Sequence, residues 1–217
     1  VADRFQIPVA VLTDQFLLDS SWNTPIIDLP EMNIEKHLVR TEETYHRYRL
    51  TTSGVSPRGV PGHVTGLVVV DSDEHDERGH ITEDLHLRTE MVKKRSVRKL
   101  ALLRQAALSP SFVGTRGAHR LVVAWGSNYH VVEEAIGASE QSDTAMLHFR
   151  QVYPLHADTA DLLNSARDVL IVENNVTAQF ASVIELETGI RIPEGNRLLK
   201  YDGLPFSVED VVTFLMR

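Results

Sequence analysis

With 217 residues, a hydrophobic share of 42%, a charged share of 24% and a formal net charge of −8, the chain has the make-up of an ordinary globular protein of one large or two small domains. No apolar run nears the roughly 20 residues of a membrane span, no basic-then-apolar leader pattern is visible, and the acidic balance argues against a general nucleic-acid binder. Cysteine is absent, which excludes disulfides, a Cys nucleophile, Cys-based zinc and the usual thiolate ligation of iron–sulfur clusters, and fits a cytoplasmic protein.

In chain order, Ile7–Thr13 predicts a buried strand with Pro8 near its start, where a strand tolerates it. A chain that opens on Val1 and runs at once into a core strand reads as cut out of something longer. Asp14–Ser20 predicts a helical turn or two with Trp22 packed nearby, Thr24–Met32 an extended connection punctuated by Pro25 and Pro30, and Asn33–Thr44 polar surface. Tyr45–Leu50 interleaves aromatics with bases. That pattern suits core packing of Tyr45 and Tyr48, or stacking on single-stranded nucleic acid, which the acidic balance disfavours.

Thr51–Gly62 carries Gly54, Gly59, Gly62, Pro57 and Pro61, which fix a shaped loop. Arg58 stands at its centre, a fork of donors suited to a carboxylate or phosphate, and Ser56 beside it is a second candidate contact. The competing reading makes Arg58 a tie to an acidic neighbour, such as the loop that follows the apolar run Leu67–Val70. That loop, Asp71–Asp84, holds Asp71, Asp73, Glu74, Asp76, Glu77, His75 and His80, and Gly79 permits its turn. Such density of like charge needs compensation. The order is strand, loop, helix, with one helix predicted over Thr82–Ala107, Thr82 as N-cap, Glu83 and Asp84 in the first turn, and Lys93 to Arg104 forming a solvated basic face.

Beyond Ser109-Pro-Ser the chain alternates. Strands are predicted at Arg120–Trp125, Ala145–Val152, Asp168–Val172 and Asn196–Tyr201, and helices at Tyr129–Ala138, Thr159–Ala166, Thr177–Glu187 and Val208–Met216. This is an α/β pattern with a parallel sheet covered on both faces. The ligand crevice belongs at the carboxyl ends of the strands, at Gly126–Asn128, Tyr153–His156, Glu173–Asn175 and Asp202–Gly203. Neither a dinucleotide fingerprint nor a phosphate-cradling loop is present, and Ser127 lacks the Gly-x-Ser-x-Gly setting of a hydrolase. His75, His80 and His86 with Asp71, Asp73 and Asp76 form a conceivable zinc or iron cluster, but their spacing matches no known ligand pattern.

The run Asp71–Asp84 with Met91-Val-Lys-Lys-Arg95, and then Ser56–Gly62, Trp125-Gly-Ser127, Val172-Glu-Asn174 and Leu199–Phe206, resembles the alpha subunit of 2-oxoacid:ferredoxin oxidoreductases over nearly the whole chain. The resemblance implies the end of a thiamine-diphosphate pyrimidine-binding domain with its connecting helix (1–108, helix about 82–107), followed by a transketolase C-terminal-like α/β domain (109–217). It implies oxidative decarboxylation of a 2-oxoacid, best matched to 2-oxoglutarate, to acyl-CoA and carbon dioxide with reduction of ferredoxin. Thiamine diphosphate, magnesium and 4Fe–4S clusters would lie on beta, gamma and delta-type partner subunits, with coenzyme A as co-substrate. The chain alone would then hold no cofactor or metal, and would bind no nucleic acid or membrane. The family's catalytic Glu and its substrate-binding Thr and Arg fall in motifs with no counterpart here, so no catalytic residue is carried over. Asp73, Glu74, His75, Asp76 and His80 become candidates for a subunit or domain contact. One departure is Ala178, where the family usually shows glycine; inside a helix its methyl would be harmless. A stand-alone α/β binding module, or a His/Asp metal hydrolase, are the other classes that the residues leave open.

Overall fold

The computed structural model describes residues 1–27, 35–139 and 141–217. It divides into two compact units, Val1–Ala10 with Asn23–Leu103, and Val11–Trp22 with Arg104–Arg217. No helix among the described residues is long and apolar enough to cross a membrane. Residues 28–34, where the extended connection was expected to end and the polar surface to begin, lie outside the described residues.

The first unit is loop-rich. Helix α1 (Ala2–Phe5) is one turn, and β1 (Thr41–Thr44) pairs in parallel with the two-residue β2 (Val64–Thr65). Two expected strands do not form. Ile7–Thr13 carries no regular structure, with Val9, Val11 and Leu12 exposed, and Leu67–Val70 likewise, with Leu67 and Val70 exposed. Apolar composition supplies the wish for burial, but a strand also needs a neighbour to take its N–H and C=O groups. Neither segment has one among the described residues.

The expected long helix exists with a defect in it. Helix α3 (Leu85–Lys93) leads into a π-turn at Lys94–Arg98 and then α4 (Lys99–Gln105). The cap is Asp84 rather than Thr82: its Oδ1 accepts from the N–H of His86 at 2.8 Å and of Leu87 at 3.1 Å. A short carboxylate reaches two of the orphan N–H groups and complements the positive helix end. The π-turn coincides with the close approach of Gly54 (φ +78°), where a β-carbon would stand 2.6 Å from the Lys94 carbonyl oxygen and 2.7 Å from the Lys99 nitrogen. The basic face is therefore not wholly solvated. Lys94 is buried, its Nζ donates to the Tyr48 carbonyl at 2.7 Å, and burial, aided by the charges of Lys99 and Arg47, pushes it down to about 8. Tyr45 is buried, as the core reading expects.

The second unit is a five-stranded, mostly parallel α/β sheet in the order β3-β5-β4-β6-β7, with strands Ser111–Val113 (β3), Arg120–Trp125 (β4), Thr144–Phe149 (β5), Asp168–Glu173 (β6) and Arg197–Leu199 (β7). β3 is antiparallel to β5; the others pair in parallel. Helices α5 (Tyr129–Ala138), α6 (Thr159–Asn164), α7 (Gln179–Thr188) and α8 (Val208–Leu215) complete it. Strand residues alternate between two cores. Leu121, Val123, Leu147 and Ile171 pack with Leu163, Phe180 and Ile184, so α6 and α7 cover one face. Val122, Met146, Leu170 and Val172 pack with Val132, Ala135, Val211 and Phe214, so α5 and α8 cover the other. The expected strands and helices of this half stand within a few residues of their predicted bounds; β3 was not foreseen.

Candidate functional site

In the first unit the Gly/Pro-rich loop is held from inside. Ser56 is buried, and its hydroxyl donates to the Arg49 carbonyl at 2.9 Å, while the Tyr45 hydroxyl donates to the Pro57 carbonyl and accepts from the Gly59 N–H. Arg58 points outward: Nη1 meets Asp3 Oδ1 at 2.6 Å, with more than a third of the side chain exposed. It does not tie down the acidic loop.

That loop is clamped by other groups. Arg95 grips Glu74 bidentately at 3.0 and 2.7 Å, which holds the carboxylate below its ordinary range. Glu77 accepts from the Leu50 N–H at 2.7 Å, and its carbonyl from the Tyr48 N–H. His75 stacks on Tyr48 with ring centres 3.7 Å apart. Asp76 accepts from the N–H groups of Arg78 and His80. These bonds, with the His80 imidazole beside it at 3.6 Å, outweigh desolvation and lower its pKa. Gly79 (φ +93°) rests on the Val69 carbonyl, where a β-carbon would come within 2.4 Å. Asp73 and His80 face outward. Among the described residues no three His, Asp or Glu side chains converge on a point that could hold a metal.

The crevice of the second unit forms where parallel-sheet topology puts it. From β4 the chain crosses to β5 on one side and returns to β6 on the other, so the loops after β4 and β6 part and leave a cleft. A cavity of about 740 Å³ lies there, lined by Ser127 and Asn128 after β4, Asn174 after β6 and Tyr201 after β7. Three of the four expected strand ends thus reach it; Tyr153–His156 after β5 does not line it. Its fourth wall was missed: helix α2 (Gln15–Asp19) with Asp14 and Trp22 lies against the strand ends, and the Ser127 hydroxyl donates to the Asp14 carboxylate. The available signal was an apolar, aromatic helical turn, Phe16 to Leu18, that stays exposed.

Behind the cavity the groups are structural. Glu173 is fully buried and accepts from the N–H of Phe180, the N–H of Ala181 and Asn175 Nδ2 at 2.8–2.9 Å, so a strand-end carboxylate caps α7 from inside. Ala178 precedes that helix at φ +51° rather than lying within it. His148 is buried, its Nε2–H donates to the Gly126 carbonyl at 2.9 Å, and burial lowers its pKa despite that bond. Ser127 faces a carboxylate, and among the described residues no imidazole hydrogen-bonds to it.

No protein-family model matches the chain. Over its full length it is 30% identical to 2-oxoacid:ferredoxin oxidoreductase 1, subunit alpha, of Sulfurisphaera tokodaii, and covers 35% of that subunit. Over 94% of its length it is 28% identical to 2-oxoacid:ferredoxin oxidoreductase 2, subunit alpha, of Aeropyrum pernix, covering 33% of it. Among solved structures, 85% of the chain superposes on 32% of a chain of 2-oxoglutarate:ferredoxin oxidoreductase from Magnetococcus marinus, solved with 2-oxoglutarate, coenzyme A and succinyl-CoA bound, with a TM-score of 0.76 and 25% identity. The chain spans about a third of the length of the curated relatives it matches. The resemblance read from the sequence holds: along its whole length the chain is a relative of part of the 2-oxoacid:ferredoxin oxidoreductase alpha subunit.

Proposed function

We propose that the chain works as part of the alpha subunit of an enzyme that converts a 2-oxoacid and coenzyme A to acyl-CoA and carbon dioxide, passing two electrons to ferredoxin. The full-length match to alpha subunits at 30% identity carries this reading. The substrate best supported is 2-oxoglutarate, which the Magnetococcus marinus relative was solved with. On this reading residues 1–108 close a pyrimidine-binding domain and residues 109–217 form a transketolase C-terminal-like domain. Without cysteine this chain has no thiolate for a 4Fe–4S cluster, and among the described residues no three His, Asp or Glu side chains converge to hold a metal. We infer from the resemblance that thiamine diphosphate, its magnesium and the clusters belong to partner subunits, where thiamine diphosphate would supply the carbanion chemistry of decarboxylation.

What this chain contributes is placement. Arg58, on a loop stiffened by Pro57 and Pro61 and anchored by Ser56, presents its guanidinium to a substrate carboxylate or a coenzyme A phosphate. Asp73 and His80, outward on a loop fixed by Glu74, His75 and Asp76, form a subunit or domain contact. The test is the substrate profile of the enzyme that contains the chain. With coenzyme A and ferredoxin present, kcat/KM should be highest for 2-oxoglutarate; a preference for pyruvate would change the substrate, and no coenzyme A-dependent oxidation of any 2-oxoacid would end the proposal.

A further inference from the structure

The cavity of the second unit has no role in that reading. Its volume, about 740 Å³, lies within the range of small-molecule sites, and it sits at the switch point where such sites form. Its walls carry Phe16, Trp22, Tyr201 and Phe206, and two of these, Trp22 and Tyr201, are 64% and 69% exposed. Large rings left in water around a concavity are unlike the packed core beneath them, and they mark a place where something apolar is received.

The charges on the walls say what kind of molecule. Asp14 and Asp19 both line the cavity, and neither has an ion-pair partner among the described residues. Asp14 accepts from the Leu17 N–H and the Ser127 hydroxyl, and Asp19 from Gln15 Nε2. Lys200 on the opposite wall is already bound, to Asp210 at 2.9 Å and Asp202 at 3.7 Å. His130 leans to Glu133 at 3.6 Å and is three-quarters exposed. An anion entering here meets two carboxylates and, among the described residues that line the cavity, no free cation. A protonated amine meets the same carboxylates together with ring faces that attract positive charge.

We propose that this crevice binds a small aromatic amine, its ring among Trp22, Tyr201 and Phe206 and its protonated nitrogen toward Asp14 and Asp19. The same charges turn away 2-oxoacids and coenzyme A, so the site stands apart from the substrates of the proposed reaction and does not depend on it. Three probes carry one ring with a positive, a neutral and a negative tail: 2-phenylethylamine, 2-phenylethanol and 3-phenylpropanoate. Each is titrated by calorimetry into the full chain and into a variant carrying Asp14→Asn and Asp19→Asn, in which Asn keeps the helix cap.

The amine should bind with a Kd at or below about 1 mM, as fits a ligand of this size. It should bind at least tenfold tighter than the alcohol, with the acid weakest, and the double variant should bind the alcohol as before while losing most of the preference for the amine. The proposal is overturned if no probe binds saturably, if the acid matches the amine, or if the variant keeps the full preference.

Discussion

Ala178 holds a left-handed backbone, φ +51° and ψ +53°, at the residue before α7. For an L-residue that conformation costs roughly 1–2 kcal/mol, which glycine avoids. Ala178→Gly gives back part of this gain through a looser unfolded chain and a lost buried methyl. The variant should still be more stable, by about 0.5–1 kcal/mol in unfolding free energy from denaturant titration; equal or lower stability would show that the methyl's packing outweighs the strain. The sequence pattern placed Ala178 within a helix because Thr177–Glu187 is helical in composition. Composition does not reveal that the Glu173 carboxylate reaches past the turn to the N–H groups of Phe180 and Ala181, which starts the helix two residues later. Arg58 is the second residue-scale test. A charge-assisted bond lost from a substrate carboxylate or phosphate is worth roughly 1.5–3 kcal/mol, so in the assembled enzyme Arg58→Lys should lower kcat/KM at least about tenfold with little change in melting temperature. A lowered melting temperature with normal activity per folded molecule would make Arg58 the structural partner of Asp3 and nothing more.

At the scale of elements, the joint between the loop at Gly54 and the π-turn is the most demanding in the first unit. Gly54→Ala would set a methyl against the Lys94 carbonyl oxygen and the Lys99 nitrogen, both backbone atoms, in a left-handed conformation. We expect a loss of roughly 2–4 kcal/mol by denaturant unfolding; a loss well under 1 kcal/mol would mean that helix and loop part easily. The buried Lys94 adds a pH dependence. Its folded value, about 8, lies below its ordinary 10.5, so folding opposes its charge. That penalty is full below pH 8 and is relieved as pH rises from 8 to 10.5. Against a Lys94→Met variant, the parent protein should therefore gain stability across that window, as melting temperatures compared at pH 7 and pH 10 would show. A gap that stays constant would mean that Lys94 is not desolvated as the fold implies. The sequence showed the helix; the π-turn within it lies against a glycine some 40 residues earlier and could not be read locally.

For the molecule as a whole, what could be read depended on how local the determinants are. In the second unit each of the parallel strands β4 to β7 is followed within about ten residues by a helix of the covering layers, so apolar runs and their spacing were enough; β3, three residues antiparallel at an edge, carries too little pattern to stand out. Ile7–Thr13, whose last three residues fall in the second unit, and Leu67–Val70 have the composition of strands but pair with no strand among the described residues, and composition cannot show whether a partner exists. The strand ends located most of the crevice, while α2 was recognisable only as a helical turn, because its place on the cavity is set by a contact between Asp14 and Ser127, far apart in sequence. The resemblance to 2-oxoacid:ferredoxin oxidoreductase alpha subunits came from short phrases in the right order, a kind of information that periodicity and charge do not hold.

The central claim is that this chain functions inside a ferredoxin-linked 2-oxoacid oxidoreductase. The most direct measurement is to tag the chain in its source cell, isolate what it is bound to, and assay ferredoxin reduction with 2-oxoacid and coenzyme A. The account predicts that 2-oxoacid- and coenzyme A-dependent reduction of ferredoxin co-purifies with the tag and stops when either substrate is left out. A tagged chain that elutes alone, or with partners but without that activity, would contradict it.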